Sequence, residues 1–245
     1  MKSILDSLEF MLQKDGKRFL KLADTKLSFY VELPANYIPD NQFGHKLFES
    51  LELSINHEQI SRKSTALDYA VSENFFQKAL YDDSYVLSSM DVAGTYDNGN
   101  DDVGDSTFSK RLGYGENFVK DMVHNNTTYK IPWRRWYIIM NINHGLARTP
   151  DCLPANVAVN FRFHRANAEC SILKIADTLK VVSAEDNSEH TLPVEYTETV
   201  VPIVNPFLSA YYAFSPELET IMSRVRNTNM EIPFMGKKNK KNFPY

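Results

Sequence analysis

The clearest pattern in the chain is an alternation of apolar and polar positions that begins near residue 26. In residues 26–34, Leu27, Phe29, Val31 and Leu33 alternate with more polar neighbours. Successive side chains of a strand point to opposite faces of a sheet, so this period of two predicts a strand with one buried face. Further strand-like runs occupy residues 47–60, 129–142, 156–163, 171–175, 179–182 and 193–204.

Other segments lack this alternation. Apolar residues recur at near-helical spacing in 1–25, which predicts an N-terminal arm or helix, and again in 65–81, which predicts a helix. A second helix is predicted at 216–226, where Ser215 is a good N-cap and Pro216 suits the first helical position. Residues 91–115 are rich in glycine and aspartate and predict a long loop. The polar, basic residues 236–245 predict a disordered tail.

These elements together predict an all-β fold. Several short strands with uneven connections and no internal repeat are typical of a jelly-roll β-sandwich of two antiparallel sheets. One or two short helices, near 65–81 and 216–226, are expected in the connections. The jelly-roll domain is predicted to span residues 26–235, between the N-terminal arm and the basic tail.

Composition narrows the class of protein. The chain has 245 residues, 43% hydrophobic and 24% charged, which is typical of a folded globular protein. A formal net charge of -4 argues against a surface that is basic throughout. The two cysteines, Cys152 and Cys170, are too few for a disulfide framework, and we expect a reducing compartment. The sequence shows neither an apolar leader nor a membrane-spanning run, so we expect a protein that is neither secreted nor inserted in a membrane.

Residues 41–56 carry a resemblance to a known family. They read Asn-Gln-Phe-Gly-His-Lys-Leu-Phe-Glu-Ser-Leu-Glu-Leu-Ser-Ile-Asn. This segment resembles a stretch of the capsid proteins of Maverick/Polinton-type elements and adintovirus-like viruses, in which an Asn-x-Phe turn precedes Leu-Phe and an alternating strand that ends in Asn. The helical pattern at 69–80, the aromatic strands at 133–163 and the segments 214–219 and 224–227 are similar to that family in the same order.

The resemblance implies a role in a virus particle. In that family the major capsid protein is a double jelly roll that forms trimers, and the minor one is a single jelly roll at the vertices. A chain of 245 residues has room for one jelly roll with arms. We therefore expect a viral structural protein that self-associates, either a single jelly roll or the first half of a double one. Its expected partners are further copies of itself, with a trimer as one arrangement, and other capsid proteins. Its expected location is the virion, after assembly in the cytoplasm or nucleus of the host cell.

The candidate interface residues are aromatic. Alternation places Trp133 and Trp136 on opposite faces of one strand, so one is expected in the core and the other at an edge or interface. A second aromatic segment lies at 205–214. Four lysines of the tail are candidates for contact with packaged nucleic acid, because each phosphate that a cation neutralises releases counterions. The candidate interface residues are Trp133, Trp136, Phe207, Tyr211, Tyr212 and Phe214, and the candidate nucleic-acid contacts are Lys237, Lys238, Lys240 and Lys241.

Reactive chemistry has no specific signal in the sequence. No nucleophile elbow, phosphate-binding loop or dinucleotide fingerprint is present, and the histidines lack metal-ligand spacing. We therefore expect no catalytic residue, no metal and no cofactor, and a protein that is not an enzyme. Two alternatives stay open. One is a β-sandwich binding module that recognises carbohydrate or protein through the loop at 91–115, and the other is an enzyme whose residues meet only in space.

Overall fold

A computed structural model of the chain describes residues 7–14, 18–40, 43–60, 115–142, 144, 146, 152–154, 157–214, 217 and 220. The helix predicted at 65–81 and the basic tail at 236–245 lie outside these residues. So do the loop at 91–115, except for its last residue, and the helix at 216–226, except for residues 217 and 220.

Most of the described residues lie in strands. One short helix, α1 (Phe43–Lys46), and one 3₁₀ turn (Ala168–Cys170) lie in the connections. The strands are β1 (Ser7–Leu12), β2 (Phe19–Pro34), β3 (Tyr37–Pro39), β4 (Phe48–Ile55), β5 (Glu58–Gln59), β6 (Glu116–His124), β7 (Thr127–Asn141), β8 (Val159–Arg165), β9 (Ile172–Lys174), β10 (Thr178–Ser183), β11 (Glu189–Pro193) and β12 (Ile203–Ala213).

These strands form two main sheets, in which every pairing is antiparallel. The four-stranded sheet has the order β1-β8-β4-β5. The six-stranded sheet has the order β11-β10-β7-β2-β12, and β6 pairs with β7 off this path. Strands β3 and β9 form a separate two-stranded sheet at the side.

The two main sheets pack face to face around one hydrophobic core. The alternation in β2 turns Leu27, Phe29 and Val31 inward, and all three are 0% exposed. Strand β8 contributes Phe161 and Phe163 from the opposite sheet, also 0% exposed. Because aliphatic and aromatic side chains that leave water stabilise the fold by about 1.5–3 kcal/mol each, this core is the main source of stability.

The order of the strands interlocks the two sheets. Strands β2 and β7 are neighbours in the six-stranded sheet, and the next main strands along the chain, β4 and β8, are neighbours in the four-stranded sheet. Because β2 and β7 are antiparallel, the chain leaves them at opposite ends of the sandwich. The sheets are therefore tied together at both ends.

The structure confirms the predicted fold class: an all-β, jelly-roll-like sandwich of two antiparallel sheets. Strands were found at the positions expected from residues 26–34, 47–60, 129–142, 156–163, 171–175 and 179–182. The turn in the run at 47–60 is made by Asn56 and His57, both with positive φ.

The prediction of an N-terminal helix was wrong. Residues 7–12 form β1, which pairs with β8, and β2 already begins at Phe19 rather than at residue 26. Leu8, Phe10 and Leu12 alternate along β1 and pack against the core. The ring of Phe10 lies edge-on to that of Phe163, with centroids 6.1 Å apart. The helical spacing of other apolar residues concealed this shorter period of two.

The strand predicted at 193–204 was also wrong, because β11 ends and β12 begins at the two limits of this run. The residues between them are held by side chains, and by the Ala168 N–H, which donates to the carbonyl of Thr199 at 2.9 Å, rather than by a neighbouring strand. Asn36 Nδ2 donates a hydrogen bond of 2.8 Å to the carbonyl of Val194, and the Arg165 guanidinium donates to that of Val201. These bonds satisfy backbone groups that a sheet would otherwise pair.

The opposite faces of β7 provide a direct test of this packing. We expect Trp136→Ala to lower the free energy of unfolding by about 3–5 kcal/mol, because the indole is 1% exposed and its loss leaves a cavity. The neighbouring Tyr137→Ala is the matched control, expected to cost less than about 1 kcal/mol because Tyr137 is 43% exposed. Urea unfolding followed by circular dichroism measures both. Equal losses would contradict the assignment of the two faces.

Candidate functional site

Strand β7 changes its buried face halfway along its length. In its C-terminal half Trp136, Ile138 and Met140 point into the sandwich core and are at most 1% exposed. In its N-terminal half the buried residue is Ile131, which lies on the opposite face and packs with Val181 in a second, smaller cluster. The outer face of the six-stranded sheet, which faces away from the sandwich core, therefore carries buried apolar side chains as well.

A contiguous group of large side chains lies on this outer face. In the register of the sheet, Phe207 of β12 lies opposite Ser28 of β2, and Ser28 lies opposite Ile139 of β7. In the next row Tyr30 lies opposite Tyr137, and their ring centroids are 4.8 Å apart. We call Tyr30, Tyr137, Ile139 and Phe207 the apolar face patch.

The patch is exposed to solvent. Tyr137 is 43% exposed, Ile139 45% and Phe207 47%. Single exposed apolar residues are ordinary on protein surfaces, but neighbouring ones on one sheet face indicate a contact surface. Ser28 differs from its neighbours, because it is only 4% exposed between the larger side chains of Phe207 and Ile139.

A charged cluster lies next to the patch along the strands. Glu32 Oε2 is 2.7 Å from Lys120 Nζ, and Glu32 Oε1 is 2.6 Å from Arg135 Nη2. Arg135 also donates from Nε to the same oxygen at 2.8 Å. The Glu32 side chain is 13% exposed, so this carboxylate is largely removed from water and held by two cations.

The two cations also lie over aromatic rings. Lys120 Nζ is 3.9 Å from the ring centroid of Trp133, and Arg135 Cζ is 5.2 Å from that of Phe118. Cation–π contacts of this kind contribute about 0.5–1 kcal/mol at exposed sites. Arg134, the other arginine of residues 133–136, donates a hydrogen bond from Nε to Asn117 Oδ1 at 3.1 Å. Both arginines of this segment are therefore engaged by side chains of the same chain.

The electrostatics of Glu32 follow from this geometry. Burial raises the pKa of Glu32, but the hydrogen bonds from Lys120 and Arg135 outweigh burial and lower it overall. The same contact raises the pKa of Arg135, to which Glu116 adds a smaller effect. Two cations and two carboxylates therefore balance within this part of the face.

The predicted interface residues differ in how far they are exposed to solvent. Phe207, Tyr211 and Phe214 are 47%, 56% and 72% exposed, as a contact surface requires. Trp136 is 1% exposed in the core, so its assignment to an interface was wrong. Trp133, on the opposite face of β7, is half-buried and packs against the smaller cluster around Ile131.

The remaining candidates are Tyr212 and the four lysines of the tail. Tyr212 packs against the sandwich core, with Arg18 Cζ 4.9 Å from its ring centroid, so it contributes little to an outer surface. The candidate nucleic-acid contacts Lys237, Lys238, Lys240 and Lys241 lie outside the described residues.

The sequence analysis named Phe207 as a candidate interface residue, but not Tyr30, Tyr137 or Ile139, the other members of the apolar face patch. Residues 136–140 are apolar at every position, which signals a strand whose two faces are both apolar. That signal was present for Tyr137 and Ile139. Tyr30 and Phe207 join them only through strand pairing, and β6, which supplies Lys120, was not predicted at all.

A polar hollow lies on the four-stranded sheet. Its volume of about 200 Å³ is below the ~300–1,000 Å³ of ordinary small-molecule pockets. Arg162, which lines it, is already engaged by Glu9 at 3.1 Å. The residues that line it are Glu52, Leu53, Ser54, His57, Gln59, Asn160 and Arg162.

Serine, histidine and aspartate meet in the turn between β10 and β11. Ser188 Oγ donates to Asp186 Oδ1 at 2.6 Å and lies 2.7 Å from His190 Nε2. In a hydrolase triad the imidazole lies between the serine and the carboxylate, whereas here the serine lies between the other two. Asp186 also accepts from the Ser188 N–H at 3.0 Å, so the arrangement is that of a hydrogen-bonded turn.

Within the described ranges no three His, Cys, Asp or Glu side chains come together as a candidate metal site. In the same part of the chain no helix is long and apolar enough to cross a bilayer. No protein-family model matches the chain, and no curated protein matches its sequence.

Glu32 provides a test of the charged cluster. A carboxylate whose pKa falls on folding contributes stability above its ordinary pKa of 4.5 and loses it as the pH falls through the folded value. We expect Glu32→Gln to lower the free energy of unfolding by about 1–2 kcal/mol at neutral pH, with the difference gone by about pH 2.

The exposed Glu116→Gln is the matched control, because Glu116 lies opposite Arg135 in the register. It is expected to change the free energy of unfolding by less than about 0.5 kcal/mol. Urea unfolding across this pH range measures both variants. A Glu32→Gln deficit that persists at low pH would show that the ionised carboxylate is not its source.

Proposed function

We propose that this chain is a capsid-type structural protein that self-associates through its jelly-roll-like sandwich. The observation that carries the proposal is the apolar face patch, whose Tyr137, Ile139 and Phe207 are 43–47% exposed on one sheet face. Apolar side chains that neighbour one another on a sheet face gain stability when a partner covers them.

The chemistry of the described residues supports the same role. The hollow on the four-stranded sheet is small, and the Ser188 turn lacks the geometry of a nucleophile. The best developed feature of the surface is thus a place for contact. The sequence resemblance to capsid proteins of Maverick/Polinton-type elements supports a virus particle as the setting, with assembly inside the host cell.

The size of the patch indicates how strong each contact is. Large side chains bury about 150–250 Å² each, so Tyr137, Ile139 and Phe207, each somewhat under half exposed, offer about 300 Å² in all. A stable dimer needs about 800 Å² from each partner. One contact of this size is weak. Repetition of weak contacts in a closed shell stabilises the assembly while each contact stays reversible.

We expect the purified protein to associate reversibly, with a dissociation constant on the order of 10–100 μM for the first step, which is within reach of the concentrations below. Sedimentation velocity from about 1 to about 100 μM measures the oligomer, and electron microscopy of concentrated samples distinguishes regular particles from discrete small oligomers. Higher salt should leave the association intact or strengthen it, because the contact is apolar. A strictly monomeric protein over this range would overturn the proposal.

A further inference from the structure

We infer that β6 pairs edge to edge with β6 of a second copy, in antiparallel orientation, about a two-fold axis at Val119. This inference rests on the proposed self-association, and it specifies one strand edge as the contact and the register of the pairing. Three observations support it: the edge of β6 is regular, its outward residues are exposed, and its sequence is complementary to itself in one register.

The regularity of β6 distinguishes it from the other edge strands of the two main sheets. The pairing of β12 is interrupted by two register shifts, and Pro206 has no N–H to donate. Strands β1, β5 and β11 are short, with six, two and five residues. β6 has nine residues, pairs with β7 without a shift and, within the described ranges, has no second neighbour. Bulges, proline and short length keep edges from pairing, and β6 lacks all three.

The turn after β6 defines which of its residues face outward. Asn125 and Asn126 both have positive φ, as in a two-residue type I′ hairpin. In such a hairpin the residues beside the turn, His124 and Thr127, bond to each other, and every second residue before them also bonds to β7. The backbone groups of the odd-numbered residues from 117 to 123 therefore point away from β7, where an added strand can pair with them.

The side chains along this edge are exposed as well. Val119 is 58% exposed and Val123 69%, on the face of β6 that they share with Asn117 and Asp121. Valine favours strands because a β-branched side chain packs well on a pleated surface. Exposed valines beside outward backbone groups form a template for a further strand.

The sequence of β6 is complementary to itself when the axis lies at Val119. Side chains that lie opposite each other in a sheet share a face, so odd residues pair with odd ones and even with even. The Val119 side chains of the two copies then lie opposite each other. Asn117 lies opposite Asp121, and Phe118 lies opposite Lys120. These pairs join apolar to apolar, amide to carboxylate and aromatic ring to cation. The remaining pair is Glu116 with Met122.

The polar groups of this register are available for the contact. Asn117 Oδ1 accepts from Arg134 Nε at 3.1 Å, so the Asn117 Nδ2 group is oriented to donate elsewhere, and a carboxylate is a suitable acceptor. Lys120 Nζ lies 2.7 Å from Glu32 Oε2. The charge of Lys120 is therefore balanced within its own copy, and its aliphatic part remains for contact with the Phe118 ring of the other copy.

The alternative registers are less favourable. An axis at Lys120 places Lys120 opposite Lys120 and Val119 opposite Asp121. An axis at Asp121 places the two Asp121 carboxylates opposite each other, and like charges in this position destabilise a sheet. An axis at Phe118 or at Met122 pairs only residues 116–120 or 120–124. The axis at Val119 thus gives the longest register of β6 in which no like charges lie opposite each other.

A second copy of β6 is therefore the occupant that matches this edge. A two-fold contact uses the edges of both strands and leaves neither open to a further chain, so it ends at a dimer. The pairing joins two six-stranded sheets into one continuous sheet. The apolar face patch stays exposed in this dimer, where it is free to make the further contacts of an assembly.

Proline at the axis tests the pairing. The Val119 N–H points away from β7, so Val119→Pro removes a donor from the edge and leaves the bonds of the hairpin in place. The axis repeats this loss in both copies. We expect the dissociation constant of the first association step to rise at least about tenfold. Val119→Thr is the matched control, because threonine keeps the N–H and the β-branched shape. Its dissociation constant should stay within about threefold of that of the unaltered protein by sedimentation velocity.

A disulfide tests the register. Val119→Cys brings two thiols together at the axis, where the Cα atoms of a hydrogen-bonded pair are about 5.5 Å apart, a separation that a disulfide spans. Val123→Cys is the matched control on the same face, because its two copies would lie roughly 25 Å apart along the strands. Both variants are made with Cys152 and Cys170 replaced by serine. Under mild oxidation, Val119→Cys should form a covalent dimer at least about ten times faster than Val123→Cys on non-reducing gels.

The outcomes separate this inference from the proposed function. Association that is unchanged in Val119→Pro would overturn the inference and leave self-association on another surface. A Val119→Cys protein that associates but crosslinks no faster than Val123→Cys would overturn the axis at Val119. Circular dichroism shows whether Val119→Pro keeps the fold, and the cysteine variants decide the question if it does not. A monomeric unaltered protein would overturn both the inference and the proposed function.

Discussion

The pairing of β2 with β7 is the interaction on which the rest of the structure depends. The two long strands are neighbours in one sheet, and the chain passes from each of them to neighbouring strands of the other sheet. Because they run in opposite directions, the two crossings lie at opposite ends and hold the sheets together. Their inward side chains, such as Phe29 and Ile138, are 0% exposed and form the middle of the core. The sheets cannot separate without exposure of this apolar surface to water.

The same strands carry the surface that we connect with function. Strand β7 carries apolar side chains on both faces, and the sandwich core covers only one of them. In its N-terminal half a second small cluster around Ile131 covers the other face. In its C-terminal half Tyr137 and Ile139 are left in water. Between these two regions Glu32 forms ion pairs with Lys120 and Arg135, whose cationic groups lie over aromatic rings. This charged cluster forms a polar boundary to the apolar face patch.

Several connections are held by single polar side chains. Asn36 Nδ2 bonds to the carbonyls of Ala176 and Val194, at 3.1 and 2.8 Å. The Arg165 guanidinium, which is 8% exposed, bonds to the carbonyl of Val201, and burial lowers its pKa to about 10. A buried cation costs free energy, and its hydrogen bond offsets part of that cost. These contacts allow an irregular segment to lie against the sandwich without a strand partner.

The sequence by itself determined the local features. Side chains alternate along any strand, so the period of two predicted most strands and placed Trp133 and Trp136 on opposite faces. Alternation says nothing of which face meets the core, and only tertiary packing buried Trp136 and left Tyr137 exposed. The apolar face patch and the contact of Glu32 with Lys120 join residues far apart in the chain. Strand register brings them together, and register follows from the packing of the whole sheet.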